Sequence, residues 1–387
     1  MLTTLAVANY RSIRELILPI SNLNVVTGAN GSGKSNLYRA LRLIADTADG
    51  SAAETLAQEG GLESVLWAGP EVLSGGMKQG SVPVQGTVRR DRINLKLGFA
   101  ADTGSYAIDY GIPTPVPGTK FHNDPEIKRE ALWRGESYHH SRSIVERTAN
   151  VVRARDSVGK WRVIEQHLSM GDSMFSRIAD PERAPELLIL REHIRSWRFY
   201  DHFRSDRSAP ARIPRIGTRT LALANDGADL ASAWQTIIEI GDKEGLDAAV
   251  NDAFPNTHVE TSNQNGRFFL HFHQNGLLRP LDQSELSDGT LRYLLWIAAL
   301  MTARPPSLMI LNEPETSLHP DLLPALGRLI TKRSEDTQIW VISHTPSLIS
   351  TLTTGEANTI VLDKDTSETF VHDQELFNTP LWKWPSR

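Results

Sequence analysis

The octapeptide Gly28-Ala29-Asn30-Gly31-Ser32-Gly33-Lys34-Ser35 constrains this chain more than any other segment. It satisfies the spacing G-x-x-x-x-G-K-[ST]. Its glycines let the backbone curl until successive N–H groups point inward, towards the oxygens of a phosphate. A short apolar run, Leu23-Asn24-Val25-Val26-Thr27, precedes the loop, and Leu37, Leu41 and Ile44 recur at helical spacing after it. The start of that helix offers unpaired N–H groups and a favourable dipole to the same anion. Lys34 is placed to reach the β- and γ-phosphates of a nucleotide, and the Ser35 hydroxyl to ligate magnesium. Four fixed positions match by chance in a chain of this length with odds of about 1%.

Three later segments add to the loop. Ser307 to Leu311 is an apolar strand that ends in Asn312-Glu313-Pro314-Glu315. Acidic or amide side chains at the carboxyl end of a buried strand can hold magnesium and the attacking water, and Glu313 is the candidate general base. Ile339-Trp340-Val341-Ile342-Ser343-His344 is a second apolar strand, and its terminal His344 could donate a hydrogen bond to a γ-phosphate. Leu286-Ser287-Asp288-Gly289-Thr290 precedes the apolar helix from Leu291 to Thr302, where small residues make either an N-cap or a phosphate seat.

The rest of the 387 residues bounds the class of protein. Hydrophobic residues make up 40% and charged residues 22%, as in a folded globular chain. There is no cysteine, which excludes disulfides, thiolate metal sites and a cysteine nucleophile and fits a reducing cytoplasm. No apolar run approaches the roughly 18 residues of a membrane span, and the N-terminus lacks a signal-peptide layout, so neither membrane nor export is expected. The net charge is −5, yet Lys128 to Arg219 holds 19 Lys and Arg against 12 Asp and Glu. That asymmetry marks either a polyanion-facing surface or a set of solvated helix faces.

Ile93, Leu95, Leu97 and Phe99 alternate with polar residues, as do Tyr106, Ile108 and Tyr110 after the turn Asp102-Thr103-Gly104, and a proline-rich loop follows at 111–120. Residues 126–203 read as helical and arginine-rich, without heptads. A helix is expected at 229–240, a hairpin at Asn265-Gly266, and helix, strand, helix, strand, helix over 285–350. His271 and His273 share a strand face but spacing assigns them no carboxylate, so a solvated face is the better reading; His139-His140 is equally unsupported. Trp161, Trp197 and Trp296 are expected in core or interface positions.

In this order, the four segments resemble the ATP-binding-cassette ATPase head, and more narrowly the RecF/SMC/OLD-like AAA-family ATPases. The similarity covers LAVANYRSIRELILPISNLNVVTGANGSGKSNLYRALRLI, LSDGTLRYLLWIAAL, LMILNEPETSLHPDLLPALGRLI and WVISHTPSLI, within residues 1–45 and 281–352. EPETSLHP separates it from transporter cassettes, which read DEPTSALD there. The resemblance implies an α/β P-loop NTPase of the ABC-ATPase head type, with an antiparallel β subdomain and a helical insert. On that pattern, residues 1–125 and 221–387 make the two parts of the head and 126–220 the insert. The 35 residues after Leu352 are too few for an appended nuclease domain.

The resemblance further implies ATP and Mg2+ as cofactors. Gly28, Ala29, Asn30, Gly31, Ser32, Gly33, Lys34, Ser35 and Asn36 would bind nucleotide, with Tyr10 and Arg11 near the adenine. Ser35 and Asn312 would serve the metal, Glu313 would activate water and His344 would sense the γ-phosphate. Ser287, Asp288 and Gly289 would meet the nucleotide of a second subunit, and Thr316 to His319 would form the loop at that interface. The expected partners are a second copy on ATP binding, DNA, and a separately encoded effector protein. Two features depart from the pattern. Asn312 replaces an aspartate, which bears on hydrolysis more than on binding, and Gln58 and Gln166 are both open as the glutamine that usually faces the metal.

Overall fold

A computed structural model describes residues 1–70, 75–78, 81–82, 92–114, 117–121, 123–365, 367–372, 374 and 379–385. Positions 115–116 of the expected proline-rich loop lie outside that set. The chain divides into two units. One comprises Met1–Ser21, Gly28–Ser196 and Ile360–Arg387, and the other Asn22–Thr27 and Trp197–Thr359.

Strand alternation organises the first unit. Its eight-stranded sheet is antiparallel, in the order Ile13–Pro19, Leu2–Tyr10, Leu95–Ala101, Ser105–Gly111, Glu126–Trp133, Ser143–Thr148, Val151–Arg155, Trp161–Glu165. Leu95, Leu97, Phe99, Tyr106, Ile108 and Tyr110 are all buried, as their alternation predicts. The helix Lys34–Asp49 packs on this sheet through Leu37, Ala40, Leu41 and Ile44, and Thr47 Oγ1 meets the Tyr110 hydroxyl at 2.8 Å. Asn358–Asp365 and Glu368–Val371 pair antiparallel, and Thr369 of this pair reaches the phosphate loop.

The arginine-rich segment corrects the expectation of a helical insert. It opens with four strands in succession, from Glu126–Trp133 to Trp161–Glu165; the long helix within it is Pro185–Arg195. The segment is also shared between the units, which divide at Ser196. Composition misleads here because arginine serves helix and strand surfaces alike. The period is what decides: in Val151–Arg155, buried Val152 and Ala154 alternate with Arg153 and Arg155. Some of these charges face inward. Arg147 and Glu130 are fully buried and paired at 3.0 Å, and Arg147 also donates to the carbonyls of Ala149, Ser169 and Asp172. Glu130 accepts from the Tyr106 hydroxyl and the Met174 N–H. Every charge in the cluster is satisfied, which is the condition for burying one.

The second unit contains parallel strands in the order Arg198–Tyr200, Leu308–Asn312, Gln338–Ile342 and Leu23–Gly28, the last contributing its residues up to Thr27. Their short, wholly apolar centres are what a sheet covered on both faces requires. The helix Asp288–Leu300 is buried on all sides from Leu291 onward and runs through the core beside Trp234, Phe203 and Leu326. A separate sheet carries the hairpin Thr257–Gln264 and Arg267–Gln274, whose turn residues Asn265 and Gly266 both adopt positive φ, 54° and 82°. No helix among the described residues is long and apolar enough to cross a membrane.

Candidate functional site

In the first unit, Gly28, Gly31 and Gly33 adopt φ of 144°, 81° and 111°, values that only glycine takes without strain. A Cβ at Gly33 would collide with the Thr369 hydroxyl, and one at Gly28 with the Leu362 carbonyl. Lys34 opens the helix, is almost fully buried, and folds back so that Nζ donates to the Gly28 and Ala29 carbonyls at 2.6 and 3.0 Å. The Ser32 hydroxyl is buried with no hydrogen-bond partner. A relay of polar groups braces the loop from outside. Asn36 Nδ2 donates to Ser12 Oγ at 2.8 Å, Ser12 meets Thr369 Oγ1 at 2.7 Å, and Thr369 donates to the Ser32 carbonyl at 2.8 Å. Asn36 therefore holds the loop's frame, and Ser12 and Thr369 belong to the site although the sequence pattern omits them.

In the second unit, the parallel register brings Thr27, Asn312 and Ser343 to one edge of the sheet, at the carboxyl ends of their strands. Glu313 is exposed and takes a positive φ of 49°, a costly conformation for a side chain with a Cβ, pinned by its own N–H on the Ile342 carbonyl at 2.8 Å. His344 Nδ1 lies 3.7 Å from both Glu313 and Glu315. Glu315 is buried, accepts from Ser343 Oγ at 2.7 Å and from the His344 N–H at 3.2 Å, and so fixes the end of the histidine strand. Asn312 donates from Nδ2 to Asp201 Oδ1 at 3.3 Å, so a carboxylate sits beside the amide that replaces the expected aspartate. Register predicts that meeting, since Tyr200 pairs with Leu311.

One arginine that no motif marks holds the segment 286–290, and a second ties the helix after it to neighbouring loops. Arg212, nearly buried, donates to the carbonyls of Ser205 and Leu286 at 2.9 and 2.7 Å and to Asp288 Oδ1 at 2.7 Å. Arg292, one turn into the helix, donates to the Phe203 and Thr316 carbonyls at 3.1 and 2.8 Å. It thereby ties this helix to the loop after Glu313. Burial pushes the Arg292 guanidinium below its ordinary pKa, the expected cost of spending a cation on carbonyls. Ser287 caps the helix by accepting from the Thr290 N–H at 3.1 Å, while Ser287 and Asp288 stay exposed and a Cβ on Gly289 would meet only the Ser317 carbonyl at 3.6 Å.

A family model described as "AAA domain, putative AbiEii toxin, Type IV TA system" matches residues 23–350, most of the chain. The chain belongs to this AAA-domain family. No curated protein matches its sequence. Its fold is similar to that of an Smc head solved bound to the C-terminal winged-helix domain of ScpA (12% identity, TM-score 0.52, 97% of this chain and 98% of that one). It is likewise similar to an Smc head with an extended coiled coil, bound to the C-terminal domain of ScpA derived from Pyrococcus furiosus (12% identity, TM-score 0.50, 96% and 95% covered). This mixed α/β architecture, with antiparallel sheets and helical regions, is like that of those Smc heads. Family and fold together point to nucleotide binding and hydrolysis.

The other expected residues of this AAA-domain chain are placed as follows. Arg11 Nη2 donates to Glu59 at 2.9 Å, and the buried Tyr10 hydroxyl donates to the same carboxylate at 2.8 Å, so the Tyr10 ring presents no open face. Burial, then Glu59, raises the Tyr10 pKa. Gln58 donates to Glu54 on its own helix and Gln166 follows the Trp161–Glu165 strand, both exposed. Trp197 and Trp296 are buried, whereas Trp161 is part-exposed under Arg153 and Arg155, whose guanidinium carbons lie 4.7 and 4.4 Å from its ring centroid. The loop suits a phosphate chain: its glycines adopt the positive φ that turns N–H groups inward, the Ser32 hydroxyl has no hydrogen-bond partner among the described residues, and Lys34 reaches over the loop to the Gly28 and Ala29 carbonyls. Asp201 and Asn312 are oxygen donors of the kind magnesium prefers.

Proposed function

We propose that this chain is an ATP-binding and ATP-hydrolysing head that pairs with a second copy on ATP and acts on DNA or a DNA-processing partner. The observation that carries the reading is Glu313: an exposed carboxylate at positive φ, clamped at the carboxyl end of a buried parallel strand. A strained, fixed carboxylate in that position fits a general base better than a surface turn.

In this reading Lys34 leaves the Gly28 and Ala29 carbonyls to hold the β- and γ-phosphates, and the N–H groups of Gly28 to Ser35 line the chain of oxygens. Ser35, Asn312 and Asp201 would hold magnesium, with Asp201 supplying the negative charge that Asn312 lacks. Magnesium, when bound, neutralises charge on the β- and γ-oxygens. Glu313 accepts a proton from the water whose oxygen bonds to the γ-phosphorus as the bond to ADP breaks, and His344 donates a hydrogen bond to the phosphoryl group. Ser287, Asp288 and Gly289 serve the second copy's nucleotide. Wild-type protein should release phosphate from ATP and magnesium, and Glu313→Gln should bind ATP while turning over about 10²–10⁴-fold more slowly. Equal turnover would remove Glu313 as the base.

DNA contact is supported by an open cleft of about 1000 Å³ in the first unit, lined by Arg134, Arg142, Arg155, Arg162 and Arg183, which outnumber its carboxylates Asp156, Glu182 and Glu186. Arg195 and Arg198 are poorer candidates, since neither lines this cleft. Asn312 favours a second reading, a slow switch that regulates a separately encoded effector without touching DNA. A salt titration separates the two. DNA affinity that falls steeply with salt and is lost on reversing Arg142 and Arg162 supports contact; no binding at low salt supports the switch.

A further inference from the structure

We infer that His258, Glu260 and His273, on the exposed face of the Thr257–Gln274 hairpin, form a binding site for a late first-row divalent cation, with Zn2+ as its probe. The two histidines are directly opposed across the strand pair, and their rings stack at 4.3 Å between centroids, 11° from parallel. Glu260 reaches between them. One carboxylate oxygen lies 3.3 Å from His273 Nε2 and the other 3.5 Å from His258 Nε2. The three ligand atoms all fall within 4.8 Å of one another.

The separations of Glu260 from each histidine are those of a chelate. Two donors about 2.0–2.1 Å from a tetrahedral zinc stand roughly 3.3 Å apart, which is the separation seen here. Neither imidazole is held by a hydrogen bond among the described residues, so both Nε2 atoms are available. The neighbouring His271 shows the contrast. Its two ring nitrogens are already engaged, by Ser262 Oγ at 2.7 Å and Asp282 Oδ1 at 2.8 Å. The pair suggested by sequence spacing, His271 with His273, is therefore not the chelating pair, because the useful partner comes from the opposite strand.

The ligand set of two imidazoles and a carboxylate suits zinc and its neighbours rather than magnesium, which prefers oxygen donors throughout. Histidine must be neutral to ligate, so affinity should fall as the pH is lowered. All three side chains are accessible, which gives the ion a path in and leaves the remaining coordination positions to water or to a donor from a partner. The cation would link the two strands at the end of the hairpin remote from the Asn265-Gly266 turn, where the turn itself no longer fixes the register.

The experiment uses the untagged full chain, dialysed against chelator and titrated with Zn2+ against a chromophoric competitor, without nucleotide. One equivalent should bind. His258→Ala and His273→Ala should each weaken it by more than the roughly 10–100-fold that loss of an outer-shell partner costs, and His271→Ala should leave the stoichiometry unchanged. Co2+ should give a visible absorption band that the first two variants lack, with unaltered circular dichroism confirming that they fold. No stoichiometric zinc in the wild type, or an equivalent that survives the double substitution of His258 and His273, would overturn the site.

Discussion

The phosphate loop of the first unit and the strand edge of the second are built in opposite ways. The loop is a contiguous octapeptide whose glycines set its own shape, with Lys34 folded over its own carbonyls. The edge is an assembly. His344 and the segment around Ser287 hold their places because Glu315 and Arg212 bind their backbone groups from far away in sequence, and Glu313 because its N–H is held by the Ile342 carbonyl. A local site depends on few residues and can fail at one of them. A distributed site fails by degrees, through residues that never touch the substrate.

The sharpest way to break that comparison is at the loop. Lys34→Ala should abolish or greatly weaken ATP binding in calorimetry while circular dichroism shows the fold retained, because the loop loses the charge that would hold the phosphates. Binding like wild type would remove the loop as the nucleotide site. The scaffold behaves differently: Arg147→Ala leaves Glu130 buried without its cation and should cost about 3–5 kcal/mol of stability in a denaturant titration.

At the edge, Arg212→Ala should cost about 1–3 kcal/mol, since it strips the Leu286 and Ser205 carbonyls of a buried donor. Its ATP affinity should remain, with ATP-dependent pairing of two copies weakened. A variant that pairs normally would mean that the Ser287 segment keeps its shape without this clamp. The smallest effect is expected at Asn312. Asn312→Asp adds a carboxylate beside Asp201 and should lower the magnesium needed for half-maximal turnover by about tenfold, while Asp201→Asn should raise it by a similar factor. A large loss of activity in Asn312→Asp would show that the site is built around the amide.

This difference also explains what the sequence disclosed. The loop, the parallel strands Leu308–Asn312 and Gln338–Ile342, the hairpin at Asn265-Gly266 and the meander from Leu95 to Gly111 were legible because each is written in adjacent residues. Thr369, Glu315, Asp201 and Arg212 were not, since their meaning depends on which residues the register sets beside them. The strands from Glu126 to Glu165 were hidden by composition, because arginines alternating with small apolar residues look helical when counted rather than spaced.

In the proposed dimer, the loop of one copy and the Ser287 segment of another share one ATP. Nucleotide then stabilises the pair by mass action, because it binds the closed dimer better than the open monomers. Light scattering of Glu313→Gln tests this directly, since ATP should bind there and persist. Glu313→Gln should be a monomer without nucleotide, a long-lived dimer with ATP and magnesium, and a monomer again when Ser287→Arg is added. A Glu313→Gln protein that binds ATP with no change in mass would contradict it.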